Sequence, residues 1–170
     1  MNLDINKRKF EIFLEVSRLL NTYDIVPILY GSLGLWKIIG EFDKANDIDI
    51  LVPKEFINKN KKWDDLISFM EEINFKLKDE DEHEFIRDSE IAAFGNEKDL
   101  NEKIHINTEG LKISKIGGVK FKELSPKQYL MVYQFMLRDN YRQEKRGKGD
   151  QKKIGLIKKY LRKISDKISL

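Results

Sequence analysis

The chain has no cysteine, only two histidines and three prolines among its 170 residues, and no apolar run near the roughly 18 residues of a membrane span. Without cysteine it can form neither a disulfide framework nor a thiolate nucleophile, which fits a reducing compartment. His83 and His105 lack metal-ligand spacing and have no cysteine to join them, so a zinc site is not expected. The opening MNLDINKRKF has no apolar core of a secretory signal, and a cytoplasmic location is expected. A phosphate-binding G-x-x-x-x-G-K-[ST] loop, the dinucleotide fingerprint G-x-G-x-x-G and a G-x-S-x-G nucleophile turn are also missing.

What is present is a foldable composition. Hydrophobic residues make up 41% and aromatics 11%, enough to bury a core, while the 36% of charged residues are mixed in sign and do not point to disorder. The net charge of +3 is unevenly placed: residues 142–170 hold eleven Lys/Arg against three Asp/Glu, leaving a mildly acidic body. A basic tail suits an anionic partner, or is simply a solvated helix face.

Periodicity predicts an amphipathic helix over Lys7–Leu20, capped at Asp4, then a short strand Val26–Tyr30 broken by Gly31-Ser32. Leu33–Ile39 reads as a short helix stopped by Gly40. A polar loop, 41–46, leads to a second strand, Asp47–Val52, ended by Pro53. Trp63–Asn74 is a helix; Glu84–Arg87, Glu90–Phe94, Ile104–Ile106, Leu111–Ile116 and Val119–Phe121 are strand candidates, with a hairpin turn at Gly117-Gly118. Ser125-Pro126 opens a helix to about Arg138. Asp139–Gly149 reads as a charged loop before a last helix from Asp150. The order predicts an α+β fold, a small mixed sheet flanked by helices. Residues 1–124 form the expected core domain and 125–170 a basic helical segment packed on it. Trp36 and Trp63 are expected in the core, and Tyr129, Tyr133 and Met136 either in the core or along an acceptor pocket.

Two features carry chemistry. In a strand alternate residues share a face, so Asp47 and Asp49 point together while Ile48 and Ile50 point into the core. Two half-buried carboxylates repel unless a cation joins them, and Mg2+ favours one or two carboxylates with phosphate oxygens and water. Mg2+, or Mn2+, is therefore the expected cofactor. Gly31-Ser32 stands where a strand ends and a helix begins, and unpaired N–H groups at such a helix start accept phosphate. Gly31 lets backbone approach closely, and the Ser32 hydroxyl adds a donor.

The sequence YGS, fourteen further residues, then DIDILV resembles the nucleotidyltransferase superfamily that includes DNA polymerase beta. Within it, the chain is most similar to small antibiotic nucleotidyltransferases of the lincosamide and aminoglycoside type, over roughly Leu19–Phe94. The resemblance implies that fold, and transfer of a nucleoside monophosphate from a nucleoside triphosphate to a hydroxyl acceptor with release of pyrophosphate. It implies Gly31 and Ser32 at the triphosphate, Asp47 and Asp49 at the metals, and a third carboxylate on a later strand. Glu90 is the choice for that acid and Glu84 the runner-up, with His83 as a base in either arrangement. The loop EFDKAN departs from the antibiotic-type pattern of an Arg and a His before the aspartates. Its only cation, Lys44, is grouped with Arg142, Lys145 and Lys153 as expected phosphate contacts. The alternative is an inactive relative that binds nucleotide or acts as a regulatory or toxin–antitoxin partner. Nucleic acid is a less favoured partner, no membrane partner is expected, and the protein is expected as a monomer or homodimer.

Overall fold

The computed structural model describes residues 2–40 and 43–169, with the side chains of residues 2–4 and 140–143 outside that description. The elements are helix α1 (Asn2–Thr22), strand β1 (Ile28–Tyr30), α2 (Gly31–Ile39), β2 (Ile48–Val52), α3 (Lys61–Glu72), β3 (Lys76–Asp79), β4 (Glu84–Arg87), β5 (Glu90–Asn96), α4 (Lys98–Ile104), β6 (Lys112–Ile116), β7 (Val119–Glu123), α5 (Pro126–Met136) and α6 (Asn140–Ile168). The strands form one mixed sheet in the order β3-β4-β5-β2-β1-β7-β6. Strand β2 runs antiparallel to β1 and parallel to β5, and β1 runs parallel to β7. This is the expected α+β architecture. Among the described residues no helix is long and apolar enough to cross a membrane.

Each face of the sheet has its own core. Leu29, Ile48, Ile50, Phe85, Ala92, Phe94 and Phe121 are buried against Phe13, Val16 and Leu20 of α1 and Trp63, Leu66 and Met70 of α3. On the other face Ile28 and Leu51 meet Leu100 of α4, Tyr129, Val132 and Tyr133 of α5, and Ile157 of α6. The period of two explains the division: Ile48 and Ile50 go one way, Asp47, Asp49 and Leu51 the other.

Local signals act as their chemistry dictates. Gly40 ends α2 at φ +72°, with its N–H bonded to the Trp36 carbonyl. Ser125 and Gln128 form a reciprocal capping box ahead of Pro126. Gly117 and Gly118 turn the β6–β7 hairpin at φ +54° and +82°, values glycine adopts without steric cost.

Three expectations are corrected. Ile104–Ile106 is no strand, because Ile104 ends α4 and His105 caps it at φ +61°. Asp139–Gly149 is no loop, since α6 already begins at Asn140, with Gly147 and Asp150 buried on its inner side. Packing of that inner side against α5 outweighs the roughly 1 kcal/mol that each interior glycine costs. Asp4, read as an N-cap, falls inside α1, which starts at Asn2.

Candidate functional site

The turn from β1 into α2 and the start of β2 meet because β1 and β2 pair antiparallel. Tyr30, the last residue of β1, stands opposite Asp49, and Gly31 follows at φ +65°. A Cβ on Gly31 would lie 2.0 Å from the Asp49 Oδ2, so the bare backbone packs directly on the carboxylate. Tyr30 occupies the N-cap of α2 and gives no side-chain hydrogen bond to its first turn, which contains no acid. The helix N-terminus thus opens toward the aspartates, a geometry suited to an anion.

Helix α5 backs this turn. The Tyr129 hydroxyl, fully buried, donates to the Leu29 carbonyl at 3.2 Å, and Gly34 leaves the room it needs, since a Cβ there would lie 2.0 Å from that oxygen. Tyr133 lines the same cleft wall as Ser32. Burial raises the pKa of both phenols, so they stay neutral at the site. The tyrosine stripe is therefore core and the rear wall of the Gly-Ser turn at once.

Asp47 lies one residue before the first ladder residue of β2 and is half-buried, as is Asp49. Burial raises the Asp47 pKa from its ordinary 3.8, and Glu84 raises it further, against the opposing pull of Lys9, Arg146 and Lys78. A cleft of about 340 Å³ lies over the pair. Lys145, Arg146, Asp150 and Lys153 of α6 and Ser32 of α2 complete its walls. The Lys153 ammonium stands 3.8 Å from the Asp150 carboxylate and 4.9 Å from the centre of the Tyr133 ring. An ion pair between Lys152 and Asp43 ties α6 to the segment leading into β2. Lys44 is exposed and lines no part of this cleft, and the Arg142 side chain lies outside the described residues.

The third carboxylate needs a correction. Register pairs Ile48 with Ala92 and Ile50 with Phe94, so Glu90, in phase with them, is on the opposite face from Asp49. There it is buried between Arg8 and Lys9 of α1. Burial alone raises its pKa, but hydrogen bonds from Lys9 and Arg8 outweigh this and hold it below 4.5. Glu90 is a structural anchor for α1. The runner-up, Glu84, shares the aspartates' face: the row Asp49–Ala93–Glu84 crosses β2, β5 and β4. It pairs with Lys78 of β3. Ala93 separates it from Asp49, so the two backbones are two strand spacings, about 9.6 Å, apart. Among the described residues no three His, Cys, Asp or Glu side chains gather into a metal cluster. His83 is not brought to the aspartates either. Its ring is 3.0 Å from the Ile57 carbonyl through Nε2 and edge-on to Trp63, on the α3 side. The half-buried donor set is therefore Asp47 and Asp49. Two carboxylates beside a helix N-terminus fit Mg2+ in the form that keeps water and phosphate oxygens among its ligands.

Sequence reasoning misses Arg146 and the buried Asp150 as cleft residues. The signal was available in the basic run EKRGKGDQKK, but reading it as a loop hid which residues share the inner side of a helix.

The chain is 35% identical over 151 residues to the uncharacterized protein YnaI of Bacillus subtilis (strain 168), an alignment covering 88% of this chain and 96% of that protein. It belongs to the same family as that protein. No family model matches the chain, and no solved structure does.

Proposed function

We propose that this member of the YnaI family is a Mg2+-dependent nucleotidyltransferase, moving a nucleoside monophosphate from a nucleoside triphosphate to a hydroxyl acceptor. The observation that carries the reading is the contact of the Gly31 backbone with the Asp49 carboxylate, which joins a phosphate-accepting helix start to a cation-seeking acid pair. Asp47 and Asp49 would hold Mg2+. When bound, the ion neutralises phosphate charge and polarises the phosphoryl group under attack. The Gly31–Ser32 amides and the Ser32 hydroxyl bind the far phosphates, and Arg146 and Lys153 face them from α6. In the transfer the acceptor oxygen bonds to the α-phosphorus, the bond to the pyrophosphate oxygen breaks, and the acceptor proton leaves to water in the open cleft. Positioning and electrostatics supply most of the rate.

Binding of a nonhydrolysable triphosphate, followed by calorimetry with and without Mg2+, tests this directly. Detection of pyrophosphate when candidate acceptors are added tests the transfer. Gly31→Ala is expected to weaken Mg2+-triphosphate binding about tenfold, because the new methyl displaces the Asp49 carboxylate, and the φ of +65° costs the fold about 1–2 kcal/mol besides. Circular dichroism would report an unchanged fold. Arg146→Ala is expected to lower affinity several-fold and to flatten its salt dependence, which a titration at two ionic strengths reads.

One observation favours a second reading, a nucleotide binder without transfer. Ala93 occupies the strand position beside Asp49, and Glu84 reaches the site only from the next strand. Mg2+-dependent binding with no pyrophosphate from any acceptor would support this reading over the first.

A further inference from the structure

A second cavity, of about 270 Å³, opens on the same face of the sheet as the aspartates. Tyr30, Leu51, Gly95, Phe135 and Met136 line it, with Asn96, Asp99 and Lys103 at one edge. Tyr30 and Met136 also line the cleft that contains Gly31, Ser32, Asp49 and Arg146, so the two spaces are neighbours that share those two side chains. Building on the proposed function, we infer that this cavity is the nucleobase pocket, and that it selects bases carrying an exocyclic amine, as in ATP, CTP and GTP, over uracil.

Spacing favours the base over the acceptor. Leu51 is two residues beyond Asp49 on β2, about 6.7 Å along the strand and on the same face. An attacking hydroxyl must touch the phosphorus at the aspartates, whereas a base stands off from it by the width of a ribose. Shape favours a flat group. Gly95 pairs with Leu51 and leaves the floor bare, and a Cβ there would come within 2.7 Å of the Leu51 Cδ2. Tyr30 and Phe135 offer aromatic surface on which a base stacks.

Edge chemistry gives the selectivity. An ionised carboxylate only accepts hydrogen bonds. The Asp99 Oδ1 accepts from Lys103 at 3.2 Å and from the Asn96 amide at 3.5 Å, and a carboxylate has accepting capacity for further donors through its second oxygen. Adenine, cytosine and guanine present an amine to such an acceptor, whereas uracil presents a single ring N–H flanked by two carbonyl oxygens that a carboxylate repels.

The test compares nonhydrolysable analogues of the four triphosphates, with inorganic tripolyphosphate as a base-free probe, by calorimetry on the full chain with Mg2+. The amine-bearing analogues are expected to bind about tenfold or more tighter than the uracil analogue. Asp99→Asn, whose amide both donates and accepts, is expected to erase that preference while leaving tripolyphosphate binding unchanged. Gly95→Val is expected to weaken all four nucleotides but not tripolyphosphate; Phe135→Ala serves if the valine variant does not fold. Equal affinity for the four analogues, unaltered by Asp99→Asn, would overturn the inference while leaving the phosphate and metal site standing. Failure of every probe, tripolyphosphate included, would overturn the proposed function and this inference with it.

Discussion

Asp47→Asn and Asp49→Asn are each expected to cost at least about 100-fold in Mg2+-dependent triphosphate affinity, because groups one step removed from a metal already cost 10–100-fold when changed. Asp47→Asn should also make the ligand-free protein more stable. Burial and Glu84 raise the Asp47 pKa, so the folded state holds this proton more tightly than the unfolded chain does. Such a group costs stability once it ionises. The cost is absent below the ordinary value of 3.8, grows as pH rises through the raised folded value, and is complete above it. The asparagine variant should therefore melt above wild type at pH 7 without Mg2+, and the difference should vanish on acidification through that window. Mg2+ with triphosphate should reverse the order at neutral pH, since wild type alone gains binding energy. Loss of function with a gain in stability is the mark of a residue kept for its site and not for the fold.

Glu90→Gln is expected to do the reverse. The carboxylate is 6% exposed and pairs with Lys9, itself 3% exposed, and with the more accessible Arg8. Removing the charge leaves the Lys9 ammonium buried without its counterion, a loss of about 3 kcal/mol, at the low end for broken buried pairs because Arg8 reaches water. In a chain of this length that is a fall of about 6–12 °C in Tm. Triphosphate affinity, measured where the variant is fully folded, should be unchanged. The pH dependence has the opposite sign to that of Asp47. Glu90 has a folded pKa below 4.5, so its stabilisation is fully present above that value and is lost as pH falls through the folded one. Glu123, held low against burial by Lys37 and Ser114, follows the same rule. Wild type should lose stability on acidification in that window, and Glu90→Gln should lose less.

These opposed outcomes mark what could be read from the sequence. The Asp-x-Asp spacing and the Gly-Ser break are local facts, and antiparallel pairing of neighbouring strands is the simplest way to join them. Their adjacency was therefore legible. The third acid was not, because its face depends on register between strands far apart in the chain. EFIR and EIAAFG each carry apolar residues at both parities, so neither fixes which side faces the core. Pairing of Ile48 with Ala92 decides it, and sends Glu90 to α1 and Glu84 to the aspartates' side. Helix α4 leaves no signal in the sequence, being seven residues long with one buried side chain, Leu100, too short for a period to show. The start of α6 was hidden by two glycines that propensity disfavours and packing overrides.

The central claim is that Gly31-Ser32 and the two aspartates are one site for a metal-bound triphosphate. Calorimetric titration of a nonhydrolysable ATP analogue into wild type and Asp47→Asn, each with Mg2+ and with EDTA, tests it most directly. Wild type should bind with Mg2+ only, and the thermally stronger variant should not bind at all. Equal binding in all four titrations, or no heat from wild type with Mg2+, would contradict it.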